Sequence, residues 1–286
     1  MDTERLDQVA AAICRDEGYE LAGLLGAGSF KRTYRIRRQD GNLFALKVFL
    51  PGLPAPRIER ELSAMAQCRH PSIARLHSVS ETQLGTDTYA FCLEEFIPGG
   101  TLSDRLRARG LLTAEEALAL GVSLIDALAH IASHQLVHRD LKPDNILLRE
   151  DGMTPVITDF GVVRDLASTS LTPTWSMRGP GTPLFSSPEQ LNNQKALIDW
   201  RSDQFSLGVV LAICALGVHP MAIPEANASE IVDRIADHTP ATAEFEATVT
   251  GRGLPALVRM VAPWPVQRFR TPRLLAERWA RQEGRR

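Results

Sequence analysis

Apolar residues change their spacing several times along this chain, and each change predicts a different element. Leu6, Val9, Ala10 and Ile13 fall on one face of a short amphipathic helix. From Tyr19 to Val48 short runs replace that spacing, and Leu21–Leu25, Thr33–Arg37 and Leu43–Val48 predict three strands. Gln39-Asp40-Gly41-Asn42 supplies a turn between the last two, with Asp-Gly as its strongest signal. Pro51, Pro54 and Pro56 end this pattern, and a helix is expected from about Arg57 to Cys68. Further strands are expected after His70-Pro71, as far as Phe96.

Beyond Pro98-Gly99-Gly100 the chain turns helical. Thr113 and Glu116 have capping-box spacing, in which each residue's side chain satisfies the other's free backbone amide. Leu118, Val122, Ile125, Ala129 and Ala132 then predict one buried face, ending near His134. The longest apolar run, Phe205 to Val218, has about 14 residues where a membrane crossing needs about 20, so it reads as a buried helix. The whole predicts an α+β architecture: a small β-rich lobe, a larger helical lobe and a cleft between them. The expected boundaries are an N-terminal helical extension over 1–18, the first lobe over 19–97 and the second over 98–286.

With 286 residues and 44% apolar content the chain can bury a large core, and a net charge of −2 gives no basic excess to direct it to nucleic acid. Cys14, Cys68, Cys92 and Cys214 are scattered and form no Cys-x-x-Cys pair, which argues against structural zinc and disulfides and fits a reducing compartment. The first 16 residues lack the apolar core of a signal peptide. The expectation is a cytoplasmic protein with no membrane segment.

The densest chemistry is His138-Arg139-Asp140-Leu141-Lys142-Pro143-Asp144-Asn145, with Asp159-Phe160-Gly161 beginning fourteen residues after Asn145. Two Asp and an Asn offer the hard oxygens that magnesium takes, and phosphoryl transfer needs a group to orient the attacking hydroxyl. Gly26-Ala27-Gly28-Ser29 lies between the first two predicted strands. Glycines there let backbone amides approach a triphosphate, although a tight hairpin alone explains them as well.

Together these motifs resemble the catalytic loop and metal motif of protein kinases, and Lys142-Pro143 resembles the serine/threonine branch, of the eukaryotic-like kind that also occurs in bacteria. The resemblance covers about residues 20 to 280 and implies a two-lobed kinase fold with ATP and Mg2+ as cofactors. The implied reaction moves the γ-phosphate of ATP to a Ser or Thr hydroxyl of a protein substrate. Asp140 would orient the hydroxyl, Lys142 would stand by the transferred phosphate, and Asn145 and Asp159 would hold the metal. Phe44-Ala45-Leu46-Lys47 resembles the strand whose lysine meets the phosphates. Its carboxylate partner would be Glu61, nine residues before His70, with Glu59 as competitor. Gly26, Ala27, Gly28, Ser29, Ala45, Lys47, Glu95 and Ile97 would surround the nucleotide. Lys31 replaces the family's third glycine and Thr33 its valine.

Downstream, Gly181 to Glu189 resembles the segment that closes the activation loop. Asp203 would brace the catalytic loop and Arg268 would pair with Glu189. Glu94 stands where the family has its gatekeeper, and a one-residue slip would put Leu93 there instead. Arg139 and Arg164 would meet a phosphate on Thr174 or Ser176, placed by autophosphorylation, for which a transient dimer would serve. The rival reading is a pseudokinase or scaffold module that binds nucleotide without transfer. Lys47, Asp140, Asn145 and Asp159, all present, argue against it.

Overall fold

The computed structural model describes residues 2–28, 30–51, 66–159 and 182–283. They fall into two compact units, one drawn from Met1–His70 and Ala74–Phe96, the other from Pro71–Ile73, Ile97–Phe160 and Pro180–Arg286. The chain is α+β, with an antiparallel sheet in the first unit and helices dominating the second.

The first unit begins with α1 (Asp2–Asp16) and continues through β1 (Glu20–Ala27), β2 (Lys31–Arg37), β3 (Leu43–Phe49), β4 (Leu76–Leu84) and β5 (Asp87–Glu95). All neighbouring strands are antiparallel, in the order β1-β2-β3-β5-β4. The predicted Asp-Gly turn joins β2 to β3: Gly41 has φ +84°, which glycine adopts without Cβ strain, and Asp40 Oδ1 accepts from Asn42 N at 2.9 Å. Side chains alternate along β3. Phe44, Leu46 and Val48 join Tyr34, Ile36, Phe91 and Leu93 in a core that α1 completes with Leu6, Val9, Ala10, Ile13 and Cys14. The helical face read from the sequence is therefore the buried one, and Leu6, Val9 and Ile13 each contribute about 1.5–3 kcal/mol on burial. Ala45 and Lys47 lie on the opposite face of β3.

The second unit contains α2 (Leu102–Arg109), α3 (Ala114–Ser133), the short pair β6 (Ile146–Leu148) and β7 (Pro155–Ile157), α4 (Pro188–Leu191), α5 (Trp200–Leu216), α6 (Ala228–Ala236), α7 (Ala243–Gly251), α8 (Ala256–Met260) and α9 (Pro272–Glu283). The capping box of α3 forms as expected: Glu116 N donates to Thr113 Oγ1 at 3.1 Å and Thr113 N to Glu116 Oε2 at 2.8 Å. Its buried face differs from the expected one. Val122 is exposed, and burial spreads over Ala117, Leu120, Gly121, Leu124, Ala127, Leu128 and Ile131 as well as Leu118 and Ile125. The reason is that α3 packs against both α5 and α9, so two partners share its surface where a single apolar stripe serves one. Gly121 permits the α9 contact, because a Cβ there would lie 2.3 Å from the ring of Trp279.

The apolar run from Phe205 is α5, buried nearly throughout and stopped by Gly217 in the left-handed conformation (φ +72°). Among the described residues α3 alone is long and apolar enough to cross a membrane, and half of it is buried inside the fold. The helix expected over about Arg57–Cys68 falls mostly outside the described residues.

Candidate active site

The first group of site residues belongs to the sheet. Gly26 pairs with Thr33 and Ala27 with Arg32, and Gly28 N donates to Lys31 O at 2.9 Å, closing the β1–β2 turn. A Cβ on Gly26 would meet nothing within 4 Å, and one on Gly28 only Lys31 O at 3.7 Å. No packing against the described residues demands these glycines, and the Gly28 amide is already bonded within the turn. The turn is a hairpin, and the expected phosphate cradle would be this same turn; Ser29 lies outside the described residues.

Across the sheet, Lys47 is paired with Cys92 and Ala45 with Glu94. Lys47 and Glu94 therefore share a face as diagonal neighbours, within reach of long side chains. Lys47 Nζ is ion-paired with Glu94 Oε2, and both side chains are only 5% exposed. Leu93 points to the other face, into the core under α1. The register thus decides between the two readings of this segment: Glu94 is the residue on the lysine's side. Glu61 and Glu59 lie outside the described residues. Glu95 ends β5, its amide bonded to Arg75 O at 2.8 Å, while Ile97 is buried in the second unit.

The second group occupies the loop between α3 and β6. Asp203, in the first turn of α5, accepts the backbone amides of His138 at 2.7 Å and Arg139 at 2.8 Å. Burial pushes its carboxyl up to about 7, against the downward pull of those two bonds. Arg139 holds φ +66°, and Gln190 donates to its carbonyl at 2.9 Å. His138 is buried and doubly engaged: Nε2 donates to Thr158 O at 2.9 Å and Nδ1 accepts from Asp140 N at 3.2 Å. One imidazole thus ties the loop to the residue preceding Asp159.

Within that loop Asn145 Nδ2 donates to Asp140 O at 2.8 Å and to Asp140 Oδ2 at 3.0 Å, and Lys142 Nζ stands 3.4 Å from the same carboxylate oxygen. Thr158 N returns a bond to Asn145 O at 3.0 Å. Asp159 follows with φ +61°, a conformation Asp adopts more readily than most residues. The fold thus gathers Asp140, Lys142 and Asn145, and hangs Asp159 from the strand bonded to them. Because the nitrogen of Asn145 faces Asp140, its side-chain oxygen remains to serve a cation. With the Asp159 carboxylate it would offer oxygens of the hard kind that suits Mg2+.

Glu189 and Arg268 pair as expected, at 2.7 and 3.0 Å and fully buried. Sequence reasoning missed three residues. Glu94 as a partner of Lys47 needed the β3–β5 register. Gln190 needed the fold of α4 against the loop. His219 Nε2 donates to Leu184 O at 2.9 Å and fixes the segment before Glu189, and burial pulls its pKa down to about 4. Thr174, Ser176 and Arg164 lie outside the described residues.

The protein kinase domain model matches residues 19–280. CBL-interacting protein kinase 4 of Oryza sativa subsp. japonica is 35% identical over 212 residues, 71% of this chain and 45% of the relative. A probable serine/threonine-protein kinase of Clostridium perfringens is 32% identical over 208 residues, 71% of this chain and 29% of the relative. Probable serine/threonine-protein kinase PknB of Lactococcus lactis is 34% identical over 200 residues, 68% of this chain and 30% of the relative. The chain spans less than half the length of each of these three. Plant and bacterial kinases match alike, so the likeness supports the family without its bacterial branch. A match over nearly the full length and the loop geometry around Asp140 lead to one conclusion: the chain belongs to the protein kinase family.

Proposed function

We propose that this chain transfers the γ-phosphate of ATP to a Ser or Thr hydroxyl of a protein. The observation that carries the proposal is the Asp140 cluster: an orienting carboxylate, held by the Asn145 amide, with the Lys142 ammonium 3.4 Å away. Asp140 would accept the hydrogen bond of the incoming hydroxyl and aim its oxygen at phosphorus. The new O–P bond forms as the bond to the ADP oxygen breaks, and the hydroxyl proton leaves toward Asp140. Lys142 would offset the negative charge of the transferred group, and Lys47 would meet the phosphates from the sheet. Asn145 and Asp159 would hold Mg2+, which neutralises phosphate charge when bound. Positioning and charge supply most of such catalysis.

Serine/threonine preference rests on Lys142 within the loop and on the names of the relatives. Autophosphorylation at Thr174 or Ser176, read by Arg139 and Arg164, is part of the same proposal, and the paired sites resemble those of bacterial members. Four cysteines, all buried and none in a disulfide, support a cytoplasmic setting.

The test is a radiolabelled-ATP assay with a generic basic protein. Asp140→Asn should lose about 10²–10⁴-fold in turnover while still binding Mg-ATP. Near-normal turnover in that variant would remove Asp140 from the mechanism. Mass spectrometry after incubation with Mg-ATP reads the loop sites. Full activity in the Thr174→Ala, Ser176→Ala double variant would discard the loop switch.

A further inference from the structure

We propose that Glu94 is a positioning residue for nucleotide binding: from within the sheet it fixes the Lys47 ammonium that meets the phosphates. The proposal rests on the phosphate-binding role of Lys47 given above and adds to it the group that presets that lysine.

Three features of the sheet support it. Pairing of Lys47 with Cys92 and of Ala45 with Glu94 makes Lys47 and Glu94 diagonal neighbours, so the long lysine stem reaches the carboxylate without leaving the strand pair. Both side chains are 5% exposed, so salt barely screens their attraction. The register cannot drift. Leu46, Val48, Phe91 and Leu93 on the reverse face are packed with Leu6, Val9, Ala10 and Ile13 of α1, and a one-residue slip of β5 would drive Glu94 into that apolar core.

A lysine left to itself carries about 2 kcal/mol of rotamer entropy, lost when a ligand immobilises it. In this sheet the ammonium is ordered when the strands pair. Nucleotide then meets a cation already in place, and the ordering cost is borne by folding. A carboxylate on the adjoining strand is suited to this because its own backbone is held by the same ladder: Glu94 is paired with Ala45 on one side and Leu76 on the other. Glu94 need not touch nucleotide to act; it acts through Lys47.

The experiment is a double-mutant cycle on the full chain, read as the dissociation constant of Mg-ATP by calorimetry, with melting temperature recorded for every variant. Lys47→Met should weaken binding at least tenfold. Glu94→Leu should weaken it about tenfold, and Glu94→Gln about threefold because its amide oxygen still accepts from the ammonium. In the Lys47→Met background Glu94→Leu should add nothing. Unchanged affinity in Glu94→Leu beside a weakened Lys47→Met would overturn the positioning role and leave the kinase reading standing. Equal weakening by Glu94→Leu in both backgrounds would overturn it too, since the effect would not pass through Lys47. Undiminished affinity in Lys47→Met would overturn both the lysine's phosphate role and this proposal. Should Glu94→Leu fail to fold, the near-isosteric Glu94→Gln decides, and wild-type affinity in it counts against Glu94.

Discussion

Among the described residues, each unit buries an ion pair whose partners are far apart in sequence, Glu189–Arg268 in one and Lys47–Glu94 in the other, and the two pairs are built differently. In the helical unit, Arg268 spends all five guanidinium N–H groups inside the protein: on both oxygens of Glu189 and on the carbonyls of Ala262, Arg201 and Pro263. Ser202 Oγ adds a bond to Glu189 at 2.7 Å. A rigid fork with every donor used has no capacity for a ligand. In the sheet unit, Lys47 presents a compact ammonium with three rotatable donors on a flexible stem, against the carboxylate of Glu94. Burial alone therefore does not separate a structural charge from a working one. What separates them is the form of the cation: a rigid fork fixed on backbone carbonyls in one, a rotatable ammonium on a flexible stem in the other.

The contrast is broken most severely at Arg268. Arg268→Met should cost about 3–5 kcal/mol in chemical denaturation, because Glu189 is left as a buried charge without its partner. Adding Glu189→Leu should regain little. The carbonyls of Ala262, Arg201 and Pro263 and the Ser202 hydroxyl would still have lost their partners, each at about 1–3 kcal/mol if left unsatisfied. A double variant as stable as the parent would show that the pair is an ordinary exchangeable one.

Lys47→Met should cost less in stability, about 1–3 kcal/mol for the charge-assisted bond removed from Glu94. Here the double variant with Glu94→Leu should regain part of that loss, because its cross-strand partner Ala45 and the neighbouring Cys92 are buried and apolar. Activity should not return with stability. Recovery of both together would make the two pairs alike and end the distinction.

Much of this was legible in the sequence, for identifiable reasons. Short apolar runs bounded by turn residues marked β1 to β3, the Asp40-Gly41 turn joined two of them, and the capping box at Thr113 marked the start of α3, because each of these depends on neighbours along the chain. The Glu189–Arg268 pair and the Asp203 brace were read through resemblance alone, since 79 and 65 residues separate the bonded groups. The face of α3 was misjudged at Val122 because periodicity cannot show that a helix has two packing partners. Glu94 was legible as an odd charge, and its bond to Lys47 was not, because a single sequence does not contain the β3–β5 register.

An effect confined to acid pH comes from His219, another saturated group of the helical unit. Its Nε2 donates to Leu184 O and its Nδ1 accepts from Met221 N, so the neutral ring is satisfied and a second proton has no place. Burial lowers its folded pKa to about 4 from an ordinary 6.5. Between those values the unfolded chain takes the proton and the folded one does not. The stability it contributes is present above about pH 6.5 and lost as pH falls toward 4, up to about 3 kcal/mol over the window. Denaturation midpoints at pH 7, 5 and 4 should therefore fall more steeply in the parent than in His219→Gln. Equal slopes would show that the ring does not resist protonation.

The smallest expected effect is at Asp7, and it provides the exposed counterpart to both buried pairs. Asp7 on α1 pairs with Arg32 and accepts from Tyr34 Oη at 2.7 Å, with its side chain half exposed. Those bonds hold its carboxyl below the usual carboxylate range. An ion pair at such a surface gains little in high dielectric and is screened by salt. Asp7→Asn keeps an oxygen for Tyr34, removes the charge and replaces the oxygen facing Arg32 with an NH2, so its melting temperature should fall slightly at low ionic strength. At about 1 M salt, where the screening length is about 3 Å, the difference from the parent should close. The deficits of Arg268→Met and Lys47→Met should persist there, because water and ions do not reach those partners. A salt-insensitive deficit in Asp7→Asn would place this pair with the buried ones, and a salt-sensitive deficit in Lys47→Met would place Lys47 with the surface.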